Sequence, residues 1–432
     1  MKNYFTKSLV FTMSAASIIA LSGCGEGGGG QTTSQTLLGD GNSTLPPSNT
    51  GKSFHTAFIT NISTGNLAFY ISSVEDTDVN VSLSDDNSSF VVHVPANTSQ
   101  AVTIPSRMMQ SGTGTSNKMI HITSEKNIVV TALNQASATT DASLLLPDQV
   151  LAKEYYTAGY YTSIADEFSV VAVENNTTVH MVLPNDTTFD VTLNVGESYQ
   201  YQASADLTGA HITSDKNIAV ISGNECANIP LGYAYCDHIE EQMLPVNTWE
   251  KTFVTVPLKT RLNGDSFRFV ASVDGTQINK DGVTIATLNA GQYYETIITG
   301  SSYIEATQPI MALQYSNGTT YDGVTSDPFM TLVPAINQFD TRHIINTPSG
   351  FTNYVNIVVP TANIGNITMD GTLINSSNFT PVTGNTAYST AQLSITEGSH
   401  VLSSSVAFGL VGYGYAQYDS YGYPSSLKLT QH

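Results

Sequence analysis

Asp237, His238, Glu240 and Glu241 stand almost side by side. A histidine among carboxylates is a donor set for zinc. The same groups serve acid–base chemistry where burial moves a pKa into the working range. Neighbouring residues rarely all face one centre, so a site here needs groups from elsewhere in the chain. The alternative is a structural histidine beside solvated carboxylates. Asp322 and Asp327 lie in the turn-rich stretch from Asn317 to Pro328. Oxygen donors of this kind suit calcium, although the spacing is not that of an EF-hand and Asp is an ordinary turn residue. The chain has no Gly-x-Ser-x-Gly elbow, no His-Glu-x-x-His, no phosphate-binding loop and no dinucleotide fingerprint. It therefore reads as a non-enzyme that needs no cofactor, with calcium as the ion its turns suggest.

Just upstream, Cys226 and Cys236 bracket a loop that carries Tyr233 and Tyr235. The third cysteine, Cys24, lies near the N-terminus. In an oxidising compartment Cys226 and Cys236 pair, two free thiols being the alternative. A bridge would hold in one shape a loop whose tyrosines offer rigid amphipathic contact area. Trp249 is the single tryptophan, and Tyr413, Tyr415, Tyr418, Tyr421 and Tyr423 crowd the C-terminus. Tyr413 and Tyr415 also fit strand positions packed on the last sheet. The ligand-binding candidates are Tyr233, Tyr235, Asp237, His238, Trp249, Tyr413 and Tyr415.

These residues sit in an internally repeated frame. An apolar-alternating block starts at Leu67, Glu167, Ser266 and Asn353, at spacings of 100, 99 and 87 residues. A second block starts at Ile122, Ile212, Ile304 and Leu402, at spacings of 90, 92 and 98. Leu-Asn-x-Gly-x-x-Tyr lies between the blocks at Leu193–Tyr199 and Leu288–Tyr294. Two unrelated blocks recurring in one order indicate duplication. Val, Ile, Thr, Tyr and Phe alternate with polar residues, and Asn, Asp, Gly and Ser mark the turns. The expected fold is all-β, four tandem repeats of roughly 90–100 residues. They are sandwich-like and closely packed, with strands passed between neighbours at the Leu-Pro segments. A closed propeller-like ring is the alternative. The repeat bounds are about 54–160, 161–258, 259–348 and 349–432. A short helix is expected over Asp237–Met243. An aspartate and then a proline follow each second block: Asp141 and Pro147, Asp237 and Pro245, Asp327 and Pro334, Asp419 and Pro424. They read as a duplicated turn, with a repeated polar or metal site as the alternative.

The N-terminus reads as a targeting segment. Lys2 and Lys7 precede an apolar run from Leu9 to Leu21, too short to span a bilayer. Leu21-Ser22-Gly23-Cys24 fits the bacterial lipobox, which implies a signal peptide over 1–23 and lipid on Cys24. Gly25 favours the outer membrane. Residues 24–53 are rich in Gly, Ser, Thr and Pro and read as a tether. The formal charge of −20, with only 15 Lys and Arg, argues against a nucleic-acid partner.

Cys236-Asp237-His238, Leu244-Pro245 and the Trp249 to Val254 run resemble the N-terminal domain of the IgG Fc-binding protein family, a domain also found in many bacterial surface proteins. The resemblance continues through Ser266–Ser272, Asp274-Gly275-Thr276, Asp327–Pro334, Asn353–Pro360 and Tyr418–Pro424. It implies an adhesion or binding role. The leading reading is a lipid-anchored surface protein of the cell envelope that binds a protein or glycan through the loops of a β-repeat body. An extracellular hydrolase with a site near His238 and a structural part of an envelope assembly are the other readings.

Overall fold

The structure is a computed structural model that describes residues 49–432 apart from 162 and 163, together with the backbone of strand Thr32–Thr36. Cys24 and the expected signal segment lie outside the described residues. Each repeat is organised on one long strand: Ile120–Ala136, His211–Ala227, Ser302–Tyr315 and Gly398–Ala416. In the first repeat the N-terminal half of this strand pairs with Gly51–Thr56 and Thr77–Leu83. Its C-terminal half pairs with Asn66–Ser73 and Thr139–Leu144. Ser88–Val94 extends the first layer and Thr98–Ile104 the second. The second and third repeats reproduce this plan. Within the segment read as a tether, Thr32–Thr36 lies antiparallel to Thr98–Ile104.

The residue pattern explains the two-layer strand. Ile120 and Ile122 alternate with His121 and Thr123, because that half has one buried face. The polar run Ser124–Asn127 crosses between layers. From Ile128 to Leu133 the alternation gives way to a nearly continuous apolar run, because both faces are now covered. Ile128, Val130 and Ala132 point into the sandwich of their own repeat. Val129 and Leu133 point into a second core, shared with Val220, Leu313 and Leu410 of the other three repeats. Each fully buried aliphatic side chain contributes about 1.5–3 kcal/mol, so this shared core binds the repeats into one body.

Four short strands meet at the middle: Thr139–Leu144, Asp237–Gln242, Met330–Leu332 and Asp419–Pro424. They follow one another around a centre, and the fourth returns to the first. The repeats are therefore sandwich-like units, and they also close into a ring. Pro147 and Pro245 end two of these strands, and each is followed by a single 3-10 turn. The chain then enters Ala152–Tyr156, Glu250–Thr255 and Asp340–Thr347. Each of these pairs with the long strand of the following repeat. The strand after each Leu-Pro or Pro-Ala corner thus opens a new sandwich and precedes the boundary placed from sequence. A pairing that does cross between repeats is Gly114–Ser116 with Ser198–Gln200.

Asp237–Met243 is not helical. Asp237–Gln242 is a strand, buried at every position and antiparallel to the end of His211–Ala227. Its high content of charged residues imitates an exposed helix. One edge of it pairs along the sheet; the amides of His238 and Glu240 are taken by side chains instead, and its own side chains have acceptor duties described below.

Candidate ligand-binding face

The four central strands approach side by side without pairing backbone to backbone, which would leave buried N–H groups without acceptors. Carboxylates fill that need. Asp141 Oδ1 accepts from the amides of Ala142 at 2.8 Å and Gly422 at 3.1 Å. Its Oδ2 accepts from Glu240 and Met330, both at 3.0 Å. One side chain of the first repeat thus joins the second, third and fourth. Asp237 accepts from Thr140 and His238 at 2.7 Å and from Ser420 at 3.1 Å. Glu241 takes the amide of Leu332 at 3.1 Å, and Gln242 that of Leu146 at 3.0 Å.

The repeated aspartates are not turn residues and are not all equivalent. Ala136 pairs with Thr139, and Ala416 with Asp419. Along the duplicated long strand Thr139 therefore stands where Asp419 stands, and Asp141 lies two positions further on the same face. Burial pushes the carboxyls of Asp141, Asp237 and Glu241 well above the usual range. Four amide donors pull Asp141 back toward its charged form. Burial and then the charge of Asp419 push Asp327 up to about 7. Burial pushes Asp419 to about 6.

His238 lies within this joint. Its Nε2 is 3.2 Å from Asn134 Nδ2 and 3.4 Å from Glu240 Oε2. Asp237, His238, Glu240 and Glu241 are all essentially inaccessible to solvent. They hold the repeats together and offer nothing to an outside ligand. Trp249 is also buried, its Nε1 donating to Leu244 O at 3.0 Å while the ring packs on Tyr156. Tyr413 and Tyr415 are buried beside Phe329, Tyr354 and Leu258, where the third and fourth repeats meet. Tyr413 Oη receives the amide of Lys259 at 2.7 Å and donates to Asn356 at 2.8 Å. Asp322 is paired with Arg261 at 2.8 Å and accepts from Leu262 N at 2.9 Å. Asp327 is hydrogen-bonded to Thr319 and lies near Asp419 and Asp237 on one side and Arg261 on the other.

Tyr233 and Tyr235 are outside, as a binding loop requires. They belong to a face formed by loops of three repeats. Cys226 and Cys236 form a disulfide across the base of the first loop. The loop rests on the third repeat, where Gly318 N donates to Ile229 O at 2.7 Å and Thr320 N to Ala234 O at 3.2 Å. Leu231 N donates to Tyr160 Oη at 3.2 Å. Tyr233 packs edge-on against Tyr321 at 5.1 Å, and Tyr235 against Tyr418 of the fourth repeat at 5.2 Å. Exposure is 69% for Leu231, 41% for Tyr233, 51% for Tyr235 and 43% for Tyr418. Large apolar groups so open, gathered from separate repeats, form a patch. Their supports are covalent or hydrogen-bonded, so little ordering entropy remains to be lost on binding.

Sequence reasoning noted Tyr418 only among the C-terminal tyrosines and did not single out Leu231 or Tyr321. Tyr418 sits at the tip of a two-residue hairpin at φ +60°, an uncommon conformation for a bulky residue. Ala138 holds the matching place in the first repeat at φ +58°. The backbone is therefore inherited from the duplication, and the signal lies in the side chain: a tyrosine at a tip where the first repeat has alanine.

A family described as "IgGFc binding protein" matches residues 141–414. The human IgGFc-binding protein is 28% identical over 397 residues, covering 85% of this chain and 7% of its own length. The chain thus spans a small fraction of that relative. Two solved structures also align at 10% identity. One is a Ca2+-stabilized adhesin that helps an Antarctic bacterium reach out and bind ice; the match covers 87% of this chain and 98% of that one, with a TM-score of 0.13. The other is a bacterial ice-binding adhesin, with coverage of 66% and 98% and a TM-score of 0.12.

Proposed function

Because the chain belongs to the IgGFc binding protein family, we propose that it is a non-enzymatic surface adhesion protein that binds a protein or glycan. The ligand docks on the face formed by Leu231, Tyr233, Tyr235, Tyr321 and Tyr418. A lipid on Cys24 holds the protein to the bacterial outer membrane, and the residues between Cys24 and the first ring strand, Gly51–Thr56, connect the anchor to the ring. The observation that carries the binding reading is the convergence of exposed tyrosines from the second and fourth repeats, with half-buried Tyr321 of the third beneath them, on a disulfide-held support. Interface hot spots favour such aromatic side chains, and truncating one typically weakens binding by about tenfold or more.

The test is binding of the whole chain to an array of glycans and glycoproteins that includes immunoglobulin Fc. A ligand whose affinity falls about tenfold or more in Tyr235→Ala and in Tyr418→Ala supports the reading. A ligand held equally by wild type and both variants overturns the assigned face, and a folded protein that binds nothing overturns the adhesion role. The anchor is tested separately: Cys24→Ala should move the protein from the membrane fraction to the soluble fraction, and unchanged membrane retention would refute the lipid.

A further inference from the structure

A cluster unrelated to the aromatic face lies on the outer side of the first sandwich. His55 and His121 are cross-strand partners on Gly51–Thr56 and Ile120–Ala136. Their rings stack at 3.9 Å with planes 16° apart. Asp148, on the 3-10 turn that leads to the second repeat, places both carboxylate oxygens 3.0 Å from His55 Nδ1. Ser53 Oγ is 2.9 Å from His121 Nε2 and also hydrogen-bonded to Asp148. One donor atom from each of His55, His121 and Asp148 lies within 4.8 Å of the others.

The duplication supplies an internal comparison. The matching cross-strand pair is Tyr156 and His211 in the second repeat, Val254 and Tyr303 in the third, and Ile344 and Val401 in the fourth. The residue at the start of the following turn is Asp148, then Val246, then Ile336. In the third repeat Val254, Tyr303 and Ile336 share one apolar cluster. In the fourth, Ile344 and Val401 form a small apolar cluster together. The fold therefore needs only packing at this corner. In the first repeat all three places carry donors with metal affinity.

We propose that His55, His121 and Asp148 bind a divalent transition metal ion of the zinc type, with Ser53 Oγ or a water as the fourth ligand. Two imidazoles and one carboxylate are the nitrogen-rich set that selects such ions over calcium. Metal–ligand bonds of about 2.0–2.2 Å set tetrahedral ligand separations near 3.3 Å. The 3.0 Å separation of His55 Nδ1 from Asp148 and the 2.9 Å separation of Ser53 from His121 are close to that spacing; the stacked ring planes do not meet at one ion, so binding turns the His121 ring out of the stack. The carboxylate is held in place: a Cβ at Gly51 would overlap Pro147, so only glycine lets the strand approach this turn. Gln149 Nε2 fastens the turn to Thr50 O at 2.9 Å. His121 also borders an open groove lined by Ser82, Ser84, Met119, Asn194 and Glu197.

The test is zinc titration of the whole chain, free of affinity tags and stripped with chelator, by calorimetry and by elemental analysis after dialysis. One ion per chain is expected. His121→Phe keeps a stacked aromatic pair like Tyr156 with His211 and removes the ligand; zinc affinity should fall at least about 100-fold. His93→Ala, at an exposed histidine beside Asp76 and Asp78, should leave affinity unchanged. Cobalt(II) bound to wild type should show the visible absorption of a four-coordinate nitrogen–oxygen site, a readout that does not depend on any variant folding. A wild-type protein that retains no zinc at micromolar concentrations, or zinc binding equal in wild type and His121→Phe, overturns the assignment.

Discussion

Asp141 of the first repeat accepts the amide of Met330, of the third repeat, at 3.0 Å across 189 positions of sequence. Strands that meet at a common centre cannot all share ladders, and this contact shows how the ring compensates: a buried carboxylate replaces the missing backbone acceptors. Asp141→Asn tests the point with almost no change of volume. The amide keeps one acceptor oxygen and turns its NH₂ toward two N–H donors. Each buried donor left unsatisfied costs about 1–3 kcal/mol, so the loss should be about 2–6 kcal/mol. Urea unfolding followed by fluorescence and by far-UV circular dichroism measures it. A change under about 0.5 kcal/mol would mean that Asp141 does not join the repeats.

The acids of the centre also set the pH dependence. Asp327 is pushed up to about 7 and Asp419 to about 6, chiefly by burial. Burial likewise pushes Asp166 and Asp265 to about 7. A carboxyl whose folded pKa lies above its unfolded value holds more protons folded than unfolded. Its contribution is fully present below the unfolded pKa and is lost as pH rises through the folded one. Stability should therefore fall between about pH 4 and pH 7. Asp327→Asn should raise the thermal midpoint at pH 7.5 and leave it unchanged at pH 4, with the wild-type slope reduced between. A variant less stable than wild type at both values would contradict this account.

The joint between the second and third repeats rests on Arg268. This buried guanidinium pairs with Asp206 and Glu295, each at 2.9 Å, and donates to Gly159 O at 2.8 Å. It lies over the rings of Tyr160 and Tyr293 at 4.1 and 4.4 Å. Arg268→Ala removes the cation and leaves two carboxylates facing each other, for a loss of about 3–5 kcal/mol. Asp206 and Glu295 are partly exposed, which favours the lower end. Arg268→Lys restores charge without the planar fork or the stacking, so it should recover only part of the loss. Equal stability of the Lys variant and wild type in thermal unfolding would show that charge alone suffices.

The strand content, the four repeats and the cysteine pair could be read from the sequence because each rests on local pattern or on duplication. The ring also had a local trace, since alternation breaks into continuous apolar runs at Ile128–Leu133 and Ile218–Ile221, where both faces are covered. What could not be read locally was the role of Asp237–Gln242. A strand of five polar or charged residues around Ile239 becomes intelligible only when Thr140, Leu146, Leu332 and Ser420 are brought against it from other repeats. Tyr413 and Tyr415 alternate with Gly412 and Gly414, a strand pattern that fits their burial. Tyr418 falls at the turn just beyond. His55, His121 and Asp148 are far apart in sequence, and only the registry of Gly51–Thr56 on Ile120–Ala136 places them together.

The disulfide offers the most direct separation of fold from binding. Cys226–Cys236 closes a loop with a sequence separation of 10 at the end of the paired strands, where Ala227 is the last residue to pair with Asp237. In the chain-entropy picture a bridge over so short a loop contributes about 3 kcal/mol, mainly by limiting the unfolded chain. Cys226→Ser with Cys236→Ser should lower global stability by up to that amount while the ring remains intact, because none of the amides held by Asp141 or Asp237 belongs to the loop. The effect on the exposed face should be larger than on the fold. Tyr233 and Tyr235 would keep their contacts with Tyr321 and Tyr418 for only part of the time, and the ordering entropy would then oppose binding. Hydrogen exchange measures both effects at once. Faster exchange confined to residues 227–236 and 318–323, with the central strands still protected, is the expected result. Loss of protection across Thr139–Leu144 and Asp419–Pro424 would instead make the disulfide part of the ring's own framework.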